Sequence, residues 1–221
     1  SKLSEDIMVK KKKTGTLIIL SGPSGAGKGT ICAQLLKEIP IDLSISMTTR
    51  SPRGNEVDGK DYFFVTRSFF EENIEKGNFL EYAKVHGDNY YGTPKDKVLE
   101  ALSSGHDVIL EIDIQGALKV KETLKEGVFI FVMPPSMKEL LDRLVKRNTE
   151  SRDKIIERFK NAYKEINEVT KYNYIVINDE VSNAVEKVKA IILAEKCRVD
   201  RIEDFELNNQ EELLHELLTI D

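Results

Sequence analysis

The chain has 221 residues, 40% of them hydrophobic and 32% charged, with a net charge of −5. That is the profile of an ordinary soluble domain, long enough to bury one full core with small insertions. The negative balance excludes bulk attraction to nucleic acid, leaving room only for a local basic pocket, and no apolar run approaches membrane-spanning length.

"TLIILS", residues 16–21, is a short β-branched apolar run suited to a strand buried on both faces. A glycine-rich turn follows, then "TICAQLLKEI" reads as a helix that stops at Pro40. "LSISMTT", residues 43–49, alternates as one strand, and "RSPRGNEVDGKD" is a polar loop rich in turn formers. "YFFV" is a strand, and "SFFEENIEK" a helix that Ser68 could cap. "FLEYAKV" is a strand, followed by a helix opened by Pro94 and closed at Gly105. "DVILEID", "GVFIFVM" and "NYIVIND" are further strands separated by helical segments, and a last long helix begins near Ser182.

Buried strands alternating with helices imply a mostly parallel sheet with helices on both faces. Two regions break the rhythm. Residues 43–93 hold several short strands in succession, as a small separate subdomain would, and residues 136–171 hold two charged helices around "KRNTESRD", as a mobile flap would. The lysines at 10–13 read as a solvated arm, and "EELLHELLTI" near the end as an amphipathic helix docking on its own protein or on a partner. Cys32 and Cys197 are too few for a disulfide framework. With no signal-like segment ahead of the first strand, a cytoplasmic protein is the expectation.

"SGPSGAGKGT", from Ser21 to Thr30, carries the first chemical signal. Gly22, four intervening residues (Pro23, Ser24, Gly25, Ala26), Gly27 and Lys28 follow a strand and open a helix, which is the context a phosphate-binding loop needs. Glycines let successive N–H groups point into one concavity, the helix N-terminus adds partial positive charge, and Lys28 adds a full one. Gly29 stands where the general pattern has Ser or Thr, with Thr30 one place later. A magnesium ion there is expected to be held by phosphates, water and a carboxylate.

The acceptor side lies further along. Arg50 and Arg53 flank a turn held by Pro52, a spacing at which two guanidinium forks can converge on one phosphate, with Tyr62 adding a hydroxyl. Taken singly, the same residues would suit a plain surface loop. Glu81 lies in an apolar strand, a costly place for a carboxylate without a partner, and Tyr91 and Thr93 follow. A carboxylate suits guanine, which offers two donors on one edge; adenine presents an acceptor there.

These stretches, with "SMTTRSPRGNEVDGKDYFF", "FLEYAKVHGDNYYGTP", "VILEIDIQGA", "FVMPPSMKELLDRLVKR" and "IVIND", resemble the guanylate kinase family in order and spacing over roughly residues 14–196. The turn "VHGDNYYG" is one residue longer than in some relatives, around His86 to Asn89. The resemblance implies a P-loop NTPase α/β fold of three layers, with the parallel core in 14–42, 94–135 and 172–197, a GMP-binding subdomain in 43–93, a helical lid in 136–171, and terminal extensions in 1–13 and 198–221. It implies ATP-dependent phosphorylation of GMP, and of dGMP, to the diphosphate in purine nucleotide metabolism, with ATP and GMP as small-molecule partners, Mg2+ as cofactor, and neither nucleic acid nor membrane involved. By the same resemblance Arg50, Arg53, Tyr62 and Tyr91 would hold the GMP phosphate, and Ser46, Glu81 and Thr93 would read the guanine. Asp113 would face the GMP side and Glu111 the phosphate loop and metal. Arg143, Arg147 and Arg158 would reach the transferring phosphoryl from the lid, and Asn178 and Asp179 would lie near the adenine of ATP. Two alternatives stand beside it: a non-catalytic binding module of the same family, and a GTPase switch. "DIQG" (residues 113–116) fits the switch, but no base-recognition N-K-x-D element accompanies it.

Overall fold

The computed structural model describes residues 14–85, 87–146, 150–201 and 210–220. The first strand, β1 (Leu17–Ser21), is buried along its whole length, as a β-branched run between two helical layers must be. It feeds the phosphate loop and α1 (Lys28–Glu38), which begins two residues ahead of the expected Thr30. The stretch read as one strand over 43–49 divides. β2 (Asp42–Leu43) pairs with the later β7, whereas β3 (Met47–Thr48) belongs to a second sheet. Alternation alone does not say which sheet each half joins. β4 (Phe63–Phe64) follows, then α2 (Arg67–Glu75), capped by Thr66 rather than Ser68, because the Thr66 hydroxyl is the one that accepts from Phe69 N–H.

β5 (Phe79–Val85) and β6 (Asn89–Pro94) form an antiparallel pair, with Glu81 opposite Thr93. α3 (Lys95–Ser103), β7 (Val108–Glu111), α4 (Ile114–Thr123) and β8 (Val128–Met133) restore the β/α rhythm. α5 (Met137–Lys146) and α6 (Arg152–Ile166) stand apart, and β9 (Tyr174–Ile177) and α7 (Val181–Lys196) close the main layers. The larger sheet runs β2-β7-β1-β8-β9, parallel throughout, and the smaller one β4-β3-β6-β5.

Alternation along β1 sends Ile18 and Leu20 to one face, against Ile31 and Leu35 of α1 and Val185 and Val188 of α7. Leu17 and Ile19 go to the other, against Val98 of α3 and Ala117 and Val120 of α4. Each of these buried Leu, Ile and Val side chains contributes about 1.5–3 kcal/mol relative to exposure. α5 and α6 keep a small core of their own around Leu140, Leu144 and Ala162, so their packing is largely separate from the main sheet. α8 (Gln210–Leu218) has Leu213, Leu214, Leu217 and Leu218 exposed, as is Ile220 just beyond it, so the side expected to dock on the chain itself or on a partner is open to solvent. No described helix is long and apolar enough to cross a membrane. Both cysteines are free thiols, Cys32 buried and Cys197 exposed. The lysine run, Arg147 and His86 lie outside the described residues.

Candidate active site

In a parallel sheet, ligands collect beyond the carboxyl ends of the strands. Here the segments after β1 and β7 meet there in a cavity of about 720 Å³, a size suited to a nucleotide. Gly22, Pro23, Ser24, Gly25, Gly27, Lys28, Gly29 and Thr30 line it, together with Glu111 and Asp113; Ala26 is buried behind them.

Gly27 caps α1 in the left-handed region, at φ +88°, and no side chain caps the first turn. The N–H groups of that turn are therefore available to an anion. The loop's shape is fixed from below by Asn178, whose Nδ2 donates to Ala26 O at 2.8 Å. A Cβ on residue 27 would lie 2.4 Å from that Nδ2, so glycine is required twice over, by backbone and by space. Asn178 thus braces the loop, while Asp179 is exposed and accepts from the next N–H, of Glu180.

Lys28 Nζ donates to Gly22 O at 3.0 Å and Ile112 O at 3.5 Å. Burial pulls its pKa down, opposed by the charges of Glu111, Asp113 and Glu165. Glu111 opens onto the cavity yet has lost enough solvent for its pKa to rise, with Lys28 opposing. A Cβ on Gly29 would lie 3.6 Å from Glu111 Oε1, so this carboxylate stands beside the position where a loop hydroxyl is missing.

The residues expected on the acceptor side lie on the smaller sheet and on the loop between β3 and β4. Arg50 Nε donates to Tyr91 Oη at 3.0 Å, and its Cζ lies 5.2 Å from the Tyr62 ring. Glu56 takes the end of the same guanidinium through both oxygens, at 2.8 and 3.0 Å, and also accepts from Arg53 N–H. Those hydrogen bonds, Arg50 first, hold the Glu56 carboxyl down to about 2. The Arg53 side chain is exposed, as is the turn it stands on. Ser46 contributes its carbonyl, which accepts from Phe63 N–H.

Glu81 is half-buried, and its Oε1 accepts from Thr93 Oγ1 at 2.9 Å. Burial pushes its pKa up; Asp113 adds to the rise, while Thr93 and Lys119 act against it. Asp113 caps α4 by accepting from Gly116 N–H at 2.7 Å. Lys119 of α4 donates to Tyr82 O of β5, which ties α4 to the smaller sheet. The first turn of α4 therefore joins the Glu81 region to the phosphate-loop cavity.

On the helical pair, Arg143 donates to Gly25 O at 3.1 Å and Asn178 O at 3.3 Å, so it touches the loop's backbone. Arg158 pairs with Glu150 and is not among the cavity-lining residues. The cavity wall is completed by Asn161, Lys164 and Glu165 of α6, none singled out by sequence reasoning. Their spacing of three and four puts them on one face of the helix, beside the apolar stripe Ile155, Phe159, Ala162 and Ile166. That polar face was the available signal. Glu56 was missed as well, since its importance comes from a contact six residues back.

The family model described as guanylate kinase matches residues 14–195. The guanylate kinase of Caldanaerobacter subterraneus is 63% identical over 202 residues, covering 91% of this chain and 98% of that protein. The guanylate kinase of Clostridium tetani is 59% identical over 204 residues, covering 92% and 98%. A crystal structure of guanylate kinase from Anaplasma phagocytophilum superposes with a TM-score of 0.70 at 32% identity, over 97% of this chain and 100% of that one. With a family model and relatives matched across nearly its whole core, this chain belongs to the guanylate kinase family.

Proposed function

We propose that this protein transfers the terminal phosphoryl group of ATP to GMP, and to dGMP, forming the corresponding diphosphate in purine nucleotide metabolism. One observation carries the base assignment: a carboxylate, Glu81, in an apolar strand beside the phosphate-loop cavity, with one oxygen taken by Thr93 and the other free for a donor-rich base edge. The non-catalytic alternative has no support in a chain that keeps Lys28 against its loop carbonyl.

The acceptor oxygen belongs to an anionic phosphate, so no side chain has to remove a proton from a poor nucleophile. Catalysis is alignment and charge neutralisation. The N–H groups of the loop and Lys28 hold the donor phosphates. Arg53, Tyr62, Tyr91 and the remaining capacity of Arg50 hold the acceptor. Residues 43–93 and 136–171 act as the GMP-binding and lid subdomains, and lid closure excludes the water that would otherwise accept the phosphoryl group. Arg143 and Arg158 reach the transferred group only after leaving their present partners on that closure, with Arg147 beside them. Ser46 and Asp113 complete the base-reading set, and Asn178 serves the donor side by supporting the loop, next to Asp179.

Mg2+ fits this site as a phosphate-bound ion. No cluster of three metal-ligating side chains exists among the described residues, and Glu111 is the carboxylate beside Gly29. The ion would neutralise charge on the transferring oxygens. Two free thiols and the use of ATP support a cytoplasmic location.

The test is ADP release coupled to a detector, with GMP, AMP, UMP and CMP offered in turn. Rapid, Mg2+-dependent ADP formation with GMP alone is the expected result. Equal rates with AMP, or ADP formation indifferent to any monophosphate, would overturn the assignment.

A further inference from the structure

Gly116 occupies the third position of α4, buried, with no positive φ to call for glycine. Glycine is the poorest helix former after proline, so a residue with a side chain would suit this backbone better. Space is the constraint. A Cβ on residue 116 would lie 3.1 Å from Asp113 Oδ1 and 3.3 Å from both Cδ and Oε2 of Glu81. Those separations are tighter than ordinary van der Waals contact, and one of the two carboxylates would have to give way.

The two are not equally free to move. Asp113 is held at 2.7 Å by Gly116 N–H as the helix cap. Glu81 is anchored through Oε1 to Thr93, and Oε2, the oxygen nearest residue 116, is the one left for a ligand. Any side chain at 116 therefore pushes on the ligand-facing oxygen.

We propose that Gly116 is a specificity-determining position: its missing side chain lets the Glu81 carboxylate lie against the first turn of α4 with Oε2 aimed at the purine edge. This rests on the assignment of Glu81 as the guanine-reading group. It extends that assignment to a residue that touches no substrate and acts only through the carboxylate beside it.

Gly116→Ala is the test, read in three ways. The GMP KM is expected to rise about tenfold, with kcat changed less than about threefold and the ATP KM unchanged, since the variant displaces one hydrogen-bond acceptor by a few tenths of an ångström. The preference for GMP over AMP falls in step. The melting temperature stays level or rises, because alanine favours the helix. Glu81→Gln is measured in parallel, alone and combined with Gly116→Ala. With Glu81 already replaced, the alanine is expected to add little. An unchanged GMP KM in Gly116→Ala beside a raised one in Glu81→Gln overturns the role of Gly116 and leaves Glu81 standing. An unchanged GMP KM in Glu81→Gln overturns the guanine-reading assignment itself. A Gly116→Ala protein that loses its thermal transition and ATP binding as well as GMP binding marks a packing glycine and also overturns the proposal.

Discussion

Replacing Glu81 with Gln keeps size and shape and changes only charge and hydrogen-bonding pattern. In the native protein Oε1 is satisfied by Thr93 at 2.9 Å, and the carboxylate offers its remaining lone pairs to the base. Hydrogen bonds to a charged group contribute about 1.5–3 kcal/mol each. Two from guanine give roughly 3–6 kcal/mol, or about 10²–10⁴ in kcat/KM at about 1.4 kcal/mol per factor of ten. The amide cannot recover both, because with its oxygen toward Thr93 its NH₂ meets the guanine donors. Stability moves the other way. Burial raises the Glu81 pKa, so the folded protein holds that proton more tightly than the unfolded chain. Its contribution is full below the unfolded pKa and is lost as pH rises through the folded value, leaving ionised Glu81 a cost at neutral pH. Gln removes that cost, and the melting temperature should hold or rise. Steady-state kinetics with GMP and AMP, beside thermal unfolding, separate the two effects. The native GMP KM should also climb as pH falls toward the raised pKa, a limb absent from the variant. A Glu81→Gln protein with full GMP activity and undiminished discrimination against AMP would refute the reasoning, and Ser46, Thr93 and Asp113 would have to read the base.

Lys28→Ala should lower kcat about 10²–10³-fold, the scale of losing one charge-stabilising donor, with the GMP KM within about threefold of native; near-normal turnover would remove the phosphate-loop assignment. Glu165→Gln should lower the ATP KM about two- to fivefold at low ionic strength, because this carboxylate lines the phosphate cavity and acts on Lys28. The gain should shrink toward nothing in high salt, and a higher ATP KM instead would mean that Glu165 assists the nucleotide.

The phosphate loop was legible because its chemistry is contiguous: glycines, lysine, strand and helix fall within ten residues. The parallel core was legible because strands buried on both faces leave unbroken apolar runs. What resisted reading was pairing in space. Met47 and Thr48 alternate with Leu43 as one strand would, yet Leu43 pairs with Ile109 and Met47 with Gly92 in different sheets. Thr66 and Ser68 are equally good caps by residue type, and only the backbone entry angle selects Thr66. Asn178 was placed on the donor side only through the family resemblance, and its contact with Ala26 of the loop, 152 residues away in sequence, is one that no local spacing announces. Glu56 looks like any acid in a polar loop until Arg50 folds back onto it.

Three cations of the site share one feature. Lys28 rests on the carbonyls of Gly22 and Ile112, Arg143 on those of Gly25 and Asn178, and Arg50 on Glu56. Of the five N–H groups of Arg50, four are engaged, by Tyr91, Ser51 and Glu56. Phosphate binding is then an exchange of acceptors rather than the filling of empty donors, and its net gain is smaller than a count of contacts would give. The cavity wall also sets Glu111, Asp113 and Glu165 against Lys28 and Lys164. Such a wall does not by itself attract a polyanion. A polyphosphate paired with a divalent cation, as proposed above, would meet less repulsion from these carboxylates, while Glu165 of α6 attracts Lys28 of the loop. On the proposed assignment, the same exchange would make the acceptor grip depend on Arg53 and the Tyr91 hydroxyl. Arg50 is held by Glu56 and Tyr91, so in that reading the more exposed groups around it would be the ones to meet the phosphate.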